Sequence, residues 1–321
     1  VAGVANLILR TGFNGLELSG RYGFPDNYHE YQISGIVGRK WDTGSVMFSA
    51  DYYWHTRLRK EDRADLFPCD LTPYGGTNGC SYSASPGNVT DPNTGIRYGL
   101  PGGSGVGLTP GDLSTTANHS DAGGGNDLLP ETERWTVLGK LTQELSPSLT
   151  AWVSGFYTKR SINQRAGQLL LSSANPVPSS NPYFINFGGG HPSEVVEYSF
   201  YDDYGPIWGY ATEQVYQLAA GLDYDVGGDW RISAYASHGV TEAESPQYGN
   251  LNTSLLNAAL ADSNPATALN VYGSGGLNGY DKIASLVGFF KPTGLYKMDL
   301  ANVKADGPLF HIGGGDVRLA V

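Results

Sequence analysis

Residues 213–226 read EQVYQLAAGLDYDV, and their side chains alternate in character from one position to the next. The apolar positions of this stretch are Tyr216, Leu218, Ala220, Leu222 and Tyr224. The positions between them are small or polar, namely Gln217, Ala219, Gly221 and Asp223. Because successive side chains of a β-strand point to opposite faces, a period of two residues is typical of a strand. This stretch therefore predicts a strand whose two faces meet different surroundings.

The same alternation recurs along the chain. It is visible in SVMFSADYYWH at residues 45–55, in RWTVLGKLT at residues 134–142 and in GLELSGRYG at residues 15–23. One such strand could belong to any half-buried antiparallel sheet, but a long series of them narrows the choice of fold. The predicted strands lie at 13–22, 30–40, 45–57, 132–144, 149–163, 213–226, 229–241, 295–305 and 316–321.

The connections between the predicted strands alternate in length. Tight turns with Gly, Pro or Asp occur at WDTGS, SPS and GGD, and a longer turn is predicted near residues 306–315. Very long connections are predicted at residues 58–131, 164–212 and 242–294. Short connections at one end of a sheet and long ones at the other are typical of an outer-membrane β-barrel. In such a barrel the turns face the periplasm and the loops face the outside.

Aromatic residues cluster near the predicted strand ends. They are Tyr22, Tyr31, Trp41, Tyr52, Trp54, Trp135, Tyr157, Tyr224 and Trp230. Rings with an apolar body and a polar edge suit a membrane interface, although a β-sandwich would also pack aromatic residues. The sequence thus predicts an all-β, antiparallel transmembrane β-barrel with long extracellular loops and short periplasmic turns, in the outer membrane of a Gram-negative cell.

The composition limits the partners of this chain. Its net charge of −11 argues against a nucleic-acid partner and against attraction to anionic lipid. No segment reaches the roughly 18 consecutive apolar residues of a membrane-spanning helix. This does not exclude a membrane β-barrel, because barrel strands give a much weaker hydrophobic signal than a membrane-spanning helix.

Four stretches resemble TonB-dependent outer-membrane receptors. VAGVANLILRTGFNGLELSGRYG at residues 1–23 resembles the junction between plug and barrel in that family. NTSLLNAALADSNPATALNVYG at 252–273 resembles an extracellular-loop segment of one large branch, and EYSFYDDYGPIWG at 197–209 resembles the approach to a mid-barrel strand. DGPLFHIGGGDVRLAV at 306–321 resembles a periplasmic turn and the strand after it. The resemblance thus runs across nearly the whole chain.

The resemblance implies a barrel of about 22 strands with a plug in its lumen, of which this chain would supply about nine strands. Residues 1–12 would be the C-terminal end of the plug, and residues 13–321 the N-terminal portion of the barrel. The chain is therefore expected to be an internal piece of a longer protein. On its own it would leave two open sheet edges, which are not viable in lipid.

The function that the resemblance implies is TonB-driven uptake of a scarce nutrient, such as siderophore-iron, another metal chelate or an oligosaccharide. The expected partners are the TonB energy-transducing complex, outer-membrane lipid and the small-molecule or oligosaccharide ligand. No bond chemistry and no cofactor are expected. One alternative is a passive porin-like barrel or an adhesin. Another alternative is a secreted all-β enzyme, which would need two carboxylates facing one cleft. Asp202 and Asp203 argue against it, because adjacent residues on a strand would point to opposite faces.

The segment NPYFINFGGGHPSEVVEYSFYDDYGPIWGY at residues 181–210 is the candidate for ligand contact. The candidate residues are Tyr183, Phe184, Phe187, Tyr201, Asp202, Asp203, Tyr204 and Trp208, together with Tyr210. Their rings and carboxylates could face a sugar or an aromatic chelate. The alternative is that these aromatics pack the loop on itself or form the interface belt.

Charged residues at polar strand positions are predicted to face the lumen. They are Glu17, Arg21, Asp51, Arg134 and Lys140. They could line a ligand path, but docking of a plug against the barrel wall also needs polar contacts, and that interpretation is favoured.

Cys69 and Cys80 lie in the first long loop, and in an exported, Cys-poor chain they predict a disulfide. Two unpaired thiols and a metal pair are the alternatives, but no ligands at metal-binding spacing accompany them. The six His residues are scattered, and the sequence contains no catalytic motif of the HExxH, GxSxG or P-loop kind. No metal site is predicted.

Overall fold

The computed structural model describes residue 10 and residues 12–321. The strands of this part are β1 (Gly15–Gly23), β2 (Glu30–Trp41), β3 (Gly44–His55), β4 (Leu58–Arg59), β5 (Asn88–Thr90), β6 (Arg97–Gly99), β7 (Asp127–Leu129), β8 (Glu131–Ser146), β9 (Leu149–Gln168), β10 (Leu170–Leu171), β11 (Val177–Pro178), β12 (Ser193–Ser199), β13 (Pro206–Gly227), β14 (Trp230–Glu244), β15 (Gln247–Leu251), β16 (Val287–Phe290), β17 (Thr293–Ile312) and β18 (Gly315–Ala320).

Helices are short in this mostly β chain. The α-helices are α1 (Tyr201–Tyr204), α2 (Thr253–Ala261) and α3 (Tyr280–Ala284), and 3-10 helices span Glu61–Leu66, Thr72–Tyr74 and Pro110–Asp112. No helix among the described residues is long and apolar enough to cross a membrane. Of the predicted plug end at 1–12, residues 1–9 and 11 lie outside the described residues.

A large antiparallel sheet of 11 strands forms the body of the molecule. Nine of its strands follow one another in the order β1-β2-β3-β8-β9-β13-β14-β17-β18, and β15 pairs with β13 and with β16 at the margin. The nine predicted strands are all present and pair in this order, so the prediction of an all-β chain with a large antiparallel sheet is confirmed.

Several strands are longer than the alternation predicted. β9 continues to Gln168 and β13 begins at Pro206, where the prediction had a loop from 164 to 212. Trp208 and Tyr210 were therefore wrongly placed in a loop, since both lie on β13. Residues 206–212 pair with β9 as far as Gln168, so backbone pairing extends the ladder where the side chains no longer alternate.

Two-residue turns join the strands at one end of the sheet. They are Asp42–Thr43, Pro147–Ser148, Gly228–Asp229 and Gly313–Gly314. Gly228 and Asp229 both have positive φ, at 59° each, as a tight hairpin with matching twist requires. The turn predicted as longer near 306–315 is as short as the others, because β17 continues to Ile312. The predicted alternation of connection length is confirmed.

At the other end, residues 24–29 join β1 to β2, and three long connections span residues 56–130, 169–205 and 245–292. These three segments fold together, and we call them the loop cap. A five-stranded sheet links the first two segments, because β12 pairs with β5 as well as with β10 and β11. The long connections are therefore folded structure with their own sheet.

The hydrophobic core lies in the loop cap. Its buried side chains come from all three segments: Val89, Leu100, Leu169, Leu171, Val177, Ile185, Val196, Tyr198, Phe200, Leu256, Leu260, Leu269, Val271, Tyr272, Ile283 and Leu286. Each of the three segments thus needs the other two to bury its apolar residues, which makes the cap a single packed unit.

The long sheet shows the opposite distribution of side chains. Its register brings the apolar positions of neighbouring strands to one face, as in the row Leu16, Val37, Phe48 and Leu218. We call this the apolar face, and its apolar side chains are exposed, with Leu18 at 72%, Leu218 at 59% and Val303 at 71%. The row continues from Leu218 to His238 and Asp299, whose side chains lie 2.7 Å apart, so a polar pair interrupts this face on β14 and β17. The opposite side, the polar face, carries Ser, Thr, Gln and charged residues on β1, β2, β3 and β8, whereas on β17 it carries Met298 and Leu300.

Candidate functional site

The eight predicted ligand residues do not form one site. Phe184 and Phe187 line a cleft in the loop cap. Tyr201, Asp202, Asp203 and Tyr204 form the helical turn α1, and Trp208 lies on β13. The remaining predicted residue, Tyr183, donates its hydroxyl to the carbonyl oxygen of Pro265 at 2.9 Å and packs against the core. The aromatic residues of this segment thus largely pack the cap on itself.

The two acidic residues of this turn differ in surroundings. Asp203 is buried, where it accepts hydrogen bonds from the Tyr198 hydroxyl at 2.8 Å and from the Asn278 backbone at 2.9 Å. Asp202 is exposed. Both residues lie in the short helix α1, so the argument that they would point to opposite faces of a strand does not apply to them. The position of Asp203 suits a structural link between two loops rather than a ligand contact at the surface.

Two more of the predicted aromatics are engaged in stacking. Tyr204 lies parallel to Tyr280, with ring centroids 5.2 Å apart. The guanidinium carbon of Arg57 lies 4.7 Å from the Trp208 ring centroid, and that of Arg165 lies 5.7 Å from it. Each such cation contributes about 0.5–1 kcal/mol at a partly exposed site. The Tyr204–Tyr280 pair thus joins two segments of the cap, and the Arg57–Trp208 contact joins the cap to β13.

The cleft at Phe184 has a volume of about 440 Å³. Its lining comes from two connections: Pro92 from the first, and Ser179, Asn181, Phe184, Ile185, Asn186, Phe187, Gly188, Gly190 and His191 from the second. We call it the Phe184 cleft. Its size falls in the range of about 300–1,000 Å³ that small-molecule sites occupy.

A buried carboxyl group that the sequence prediction missed lies beneath this cleft. Glu194 on β12 is 2% exposed, and its Oε1 accepts hydrogen bonds from the Tyr272 hydroxyl and, at 3.0 Å, from the Ile185 backbone. Its Oε2 has no partner among the described residues. Burial raises the pKa of Glu194 to about 7, and the same burial raises the pKa of Tyr272 well above its usual range.

A signal for this carboxyl group exists in the sequence. SEVVEYS at 193–199 alternates, and Glu194 shares its phase with Val196 and Tyr198, which are fully buried. The neighbouring Glu197 has the opposite phase and pairs with Arg97, whose guanidinium carbon lies 3.9 Å from the ring centroid of Tyr82. An acidic residue at one of the alternate strand positions that are otherwise apolar predicts a buried carboxyl group.

The five charges predicted to face a lumen all lie on the polar face. Asp51 forms an ion pair with Arg134 at 3.3 Å and accepts a hydrogen bond from Gln32 at 2.6 Å. Glu17 pairs with Arg10 at 3.1 Å, and Arg21 pairs with Glu30 at 3.5 Å. Lys140 lies 5.9 Å from the ring centroid of Trp152. The sheet therefore presents a polar wall over β1, β2, β3 and β8, on the side away from Leu18 and Leu218.

Near the loop end, this wall contains a groove of about 420 Å³. Arg160, Ala211, Glu213 and Ala243 contribute to it from the polar face of β9, β13 and β14. The groove is lined by both a positively charged residue, Arg160, and a negatively charged one, Glu213. Its lining therefore does not favour a ligand of one particular charge.

The first segment of the cap carries a finger closed by a disulfide between Cys69 and Cys80, with a Cα–Cα distance of 4.8 Å. Asp70 and Asn78 each accept a hydrogen bond from a backbone N–H two residues ahead. Tyr74 at the tip is 75% exposed. The structure thus joins the two cysteines that the sequence paired.

The chain matches no family model, and a comparison with curated proteins likewise finds no match.

Proposed function

We propose that this chain is a segment of a TonB-dependent outer-membrane receptor, with the long sheet as barrel wall and the loop cap as the extracellular ligand-binding part. The observation that carries the proposal is the inverted distribution of side chains in the sheet. Leu18, Leu218 and Val303 are exposed on one face, while Glu17, Asp51 and Arg134 lie on the other. Soluble proteins seldom leave apolar side chains of several neighbouring strands exposed to water on one face, whereas lipid requires such a face.

The height of the apolar face supports a membrane location. Tyr31 and Trp41 mark its two ends on β2, ten residues apart on the same face. Ten residues of strand span about 33 Å, and a tilt of about 40° reduces this to about 25 Å along the membrane normal. That is the height of the apolar band of outer-membrane barrels. Ring pairs at the loop end, such as Tyr52 and Trp135 with centroids 4.2 Å apart, suit an interface belt.

The connections support the same orientation. Four two-residue turns lie at one end, and the folded cap lies at the other, as expected for a periplasmic and an extracellular side. Among the described strands, β1 and β18 each pair on one side only. Lipid does not tolerate open edges, so the proposal includes further strands that close the barrel.

The proposed activity is binding of a scarce nutrient by the cap and its passage through the lumen when TonB acts on a plug. The polar wall suits this role, because its charges can dock a plug through hydrogen bonds and ion pairs. A ligand that binds one arrangement of cap and plug more tightly would bias the gate.

Growth on a panel of iron chelates and glycans tests the proposal in the organism, with the full-length gene intact or deleted and with TonB present or absent. We expect one compound to support growth only when both the gene and TonB are present. Entry of that compound without TonB would instead indicate a passive barrel and would refute the proposed energy coupling.

A further inference from the structure

The Phe184 cleft combines flat apolar surface with neutral polar groups. Phe184 and Phe187 are half-buried and line it, next to Ser179, Asn186 and His191. The described residues that line the cleft include no Asp, Glu, Lys or Arg. A ligand with a formal charge would find no opposite charge here, and a purely apolar ligand would leave the polar groups without partners.

The cleft is held open by contacts between two different connections. Asn93 donates a hydrogen bond to the Phe187 carbonyl oxygen at 3.3 Å, and its Oδ1 lies 2.8 Å from His191 Nε2. Asp91 fixes Asn93 in turn by accepting from its backbone N–H at 2.8 Å. Because protein groups alone make these contacts between the two connections, binding would require little ordering of the loops.

Gly188 and Gly190 line the rim of the cleft, and Gly189 lies between them in the chain. Gly188, Gly189 and Gly190 all have positive φ, between 69° and 82°. A Cβ atom at Gly189 would come within 2.6 Å of Asn93 Oδ1, so a side chain there would break the contact that joins the two connections. Around Gly188 and Gly190 there is open space within 4 Å of such an atom. The rim therefore leaves room for a ligand, and the backbone of its glycines is exposed to that space.

Donors suited to hydroxyl groups face this space. Asn186 uses its Oδ1 to accept from the Gly188 backbone at 2.9 Å, which orients its amide. Asn186 and Ser179 both line the cleft and are exposed, so the Asn186 amide nitrogen and the Ser179 hydroxyl are accessible to a ligand. A ring with an apolar face and an edge of hydroxyls matches this arrangement of aromatic and neutral polar groups.

We propose that the Phe184 cleft binds a neutral saccharide, with one sugar ring stacked on Phe184. This inference rests on the proposed function and specifies its ligand class. Siderophores and other charged chelates are disfavoured by the lining, and a charged ligand is the alternative that the experiment must separate.

The test uses the full-length receptor in detergent on a glycan array of neutral and acidic oligosaccharides, with ferric citrate as a charged chelate in a separate titration. The strongest neutral glycan is then titrated calorimetrically against variants. We expect a neutral glycan to bind, Phe184→Ala to weaken it about tenfold or more, and Phe184→Tyr to retain binding. Tyr74→Ala, at the exposed tip of the disulfide finger, is the matched control and should leave affinity unchanged.

Three results would overturn the proposal: no neutral glycan binds, binding is the same in Phe184→Ala as in the wild type, or Phe184→Leu binds as well as Phe184→Tyr. The leucine variant keeps an apolar side chain, so it separates loss of the flat ring from loss of folding. Uptake assays separate the saccharide proposal from the proposed transport function. TonB-dependent uptake of a charged ligand would contradict the saccharide site and support the transport function. TonB-independent entry of the bound glycan would support the saccharide site and contradict TonB-driven transport.

Discussion

Replacing Glu194 by glutamine should remove a pH dependence from the stability of the loop cap. In the folded cap the pKa of Glu194 is raised to about 7 by burial, against an ordinary value of 4.5 in an opened cap. Below pH 4.5 the carboxyl is protonated in both states, and the cap has its full stability. Between these two values an opened cap releases a proton that the folded cap retains, so opening becomes easier as the pH rises.

The magnitude follows from the interval between the two pKa values. At about 1.4 kcal/mol per pH unit, the loss reaches about 3 kcal/mol by about pH 7 and stays constant above it. Glu194 is 2% exposed, so solvent screening reduces this little. The glutamine side chain of the E194Q variant keeps an oxygen that can accept from Tyr272 and Ile185, and it carries no charge at any of these pH values. Its amide nitrogen would lack a partner where Oε2 lies, which costs about 1–3 kcal/mol independently of pH.

Hydrogen exchange of the Ile185 amide, which donates to this carboxyl, measures opening of the cap. After correction for intrinsic exchange, protection in the wild type should fall by about two orders of magnitude from about pH 5 to about pH 8. In E194Q it should be nearly constant. Asp202→Asn, which alters an exposed acid in the same cap, is the control and should retain the wild-type slope. A flat wild-type profile, or an E194Q profile with the wild-type slope, would refute the reasoning.

Three further predictions concern the cap and the sheet. Tyr272→Phe removes a donor to Glu194 and should cost about 1–3 kcal/mol of cap stability, measured by the same exchange experiment; an unchanged rate would contradict a role for this hydrogen bond. Leu218→Arg places a charge on the apolar face and should destabilise the full-length receptor, folded into lipid vesicles, by about 2–4 kcal/mol, whereas Gln217→Arg on the polar face should leave its stability unchanged; equal effects would contradict the assignment of faces. Cys80→Ser opens the disulfide finger and should speed its cleavage by protease, reflecting about 3 kcal/mol of lost loop restriction, while the cap core stays protected; loss of that protection would show that the finger supports the core.

The sheet could be predicted because each strand carries its own signal. Val46, Phe48 and Tyr52 alternate with Ser45 and Ser49, and this periodicity needs no knowledge of the partner strand. The strand ends could not be placed in the same way. Residues 206–212 carry no clear alternation, and their structure depends on pairing with the far end of β9, from which a long connection separates them.

The loop cap was beyond prediction from local pattern. Val89, Phe200 and Tyr272 belong to three separate connections, yet all are fully buried in one core. No spacing along the chain encodes which apolar residues of distant loops will meet, because their contacts depend on the sheet that brings the loops to one end. For the same reason, eight aromatic and acidic residues that are neighbours in sequence are spread over a cleft, a helical turn and a strand.

The division of apolar residues between cap and sheet bears on how a ligand would be held. The cap buries Leu171, Ile185 and Tyr272 completely, and it does so by joining three connections whose ends the sheet fixes. Loops packed in this way cannot move one at a time without exposing the core of the other two.

Aromatic residues at the margin of the core, such as Phe187, are therefore held by the core on one side, while their remaining surface faces the Phe184 cleft. A cleft supported by a packed core is preformed, so its ligand need not order long loops and can bind with little loss of entropy. The same packing implies that a change deep in the cap, such as ionisation of Glu194, would alter the cleft by opening the cap as a unit rather than by moving one side chain.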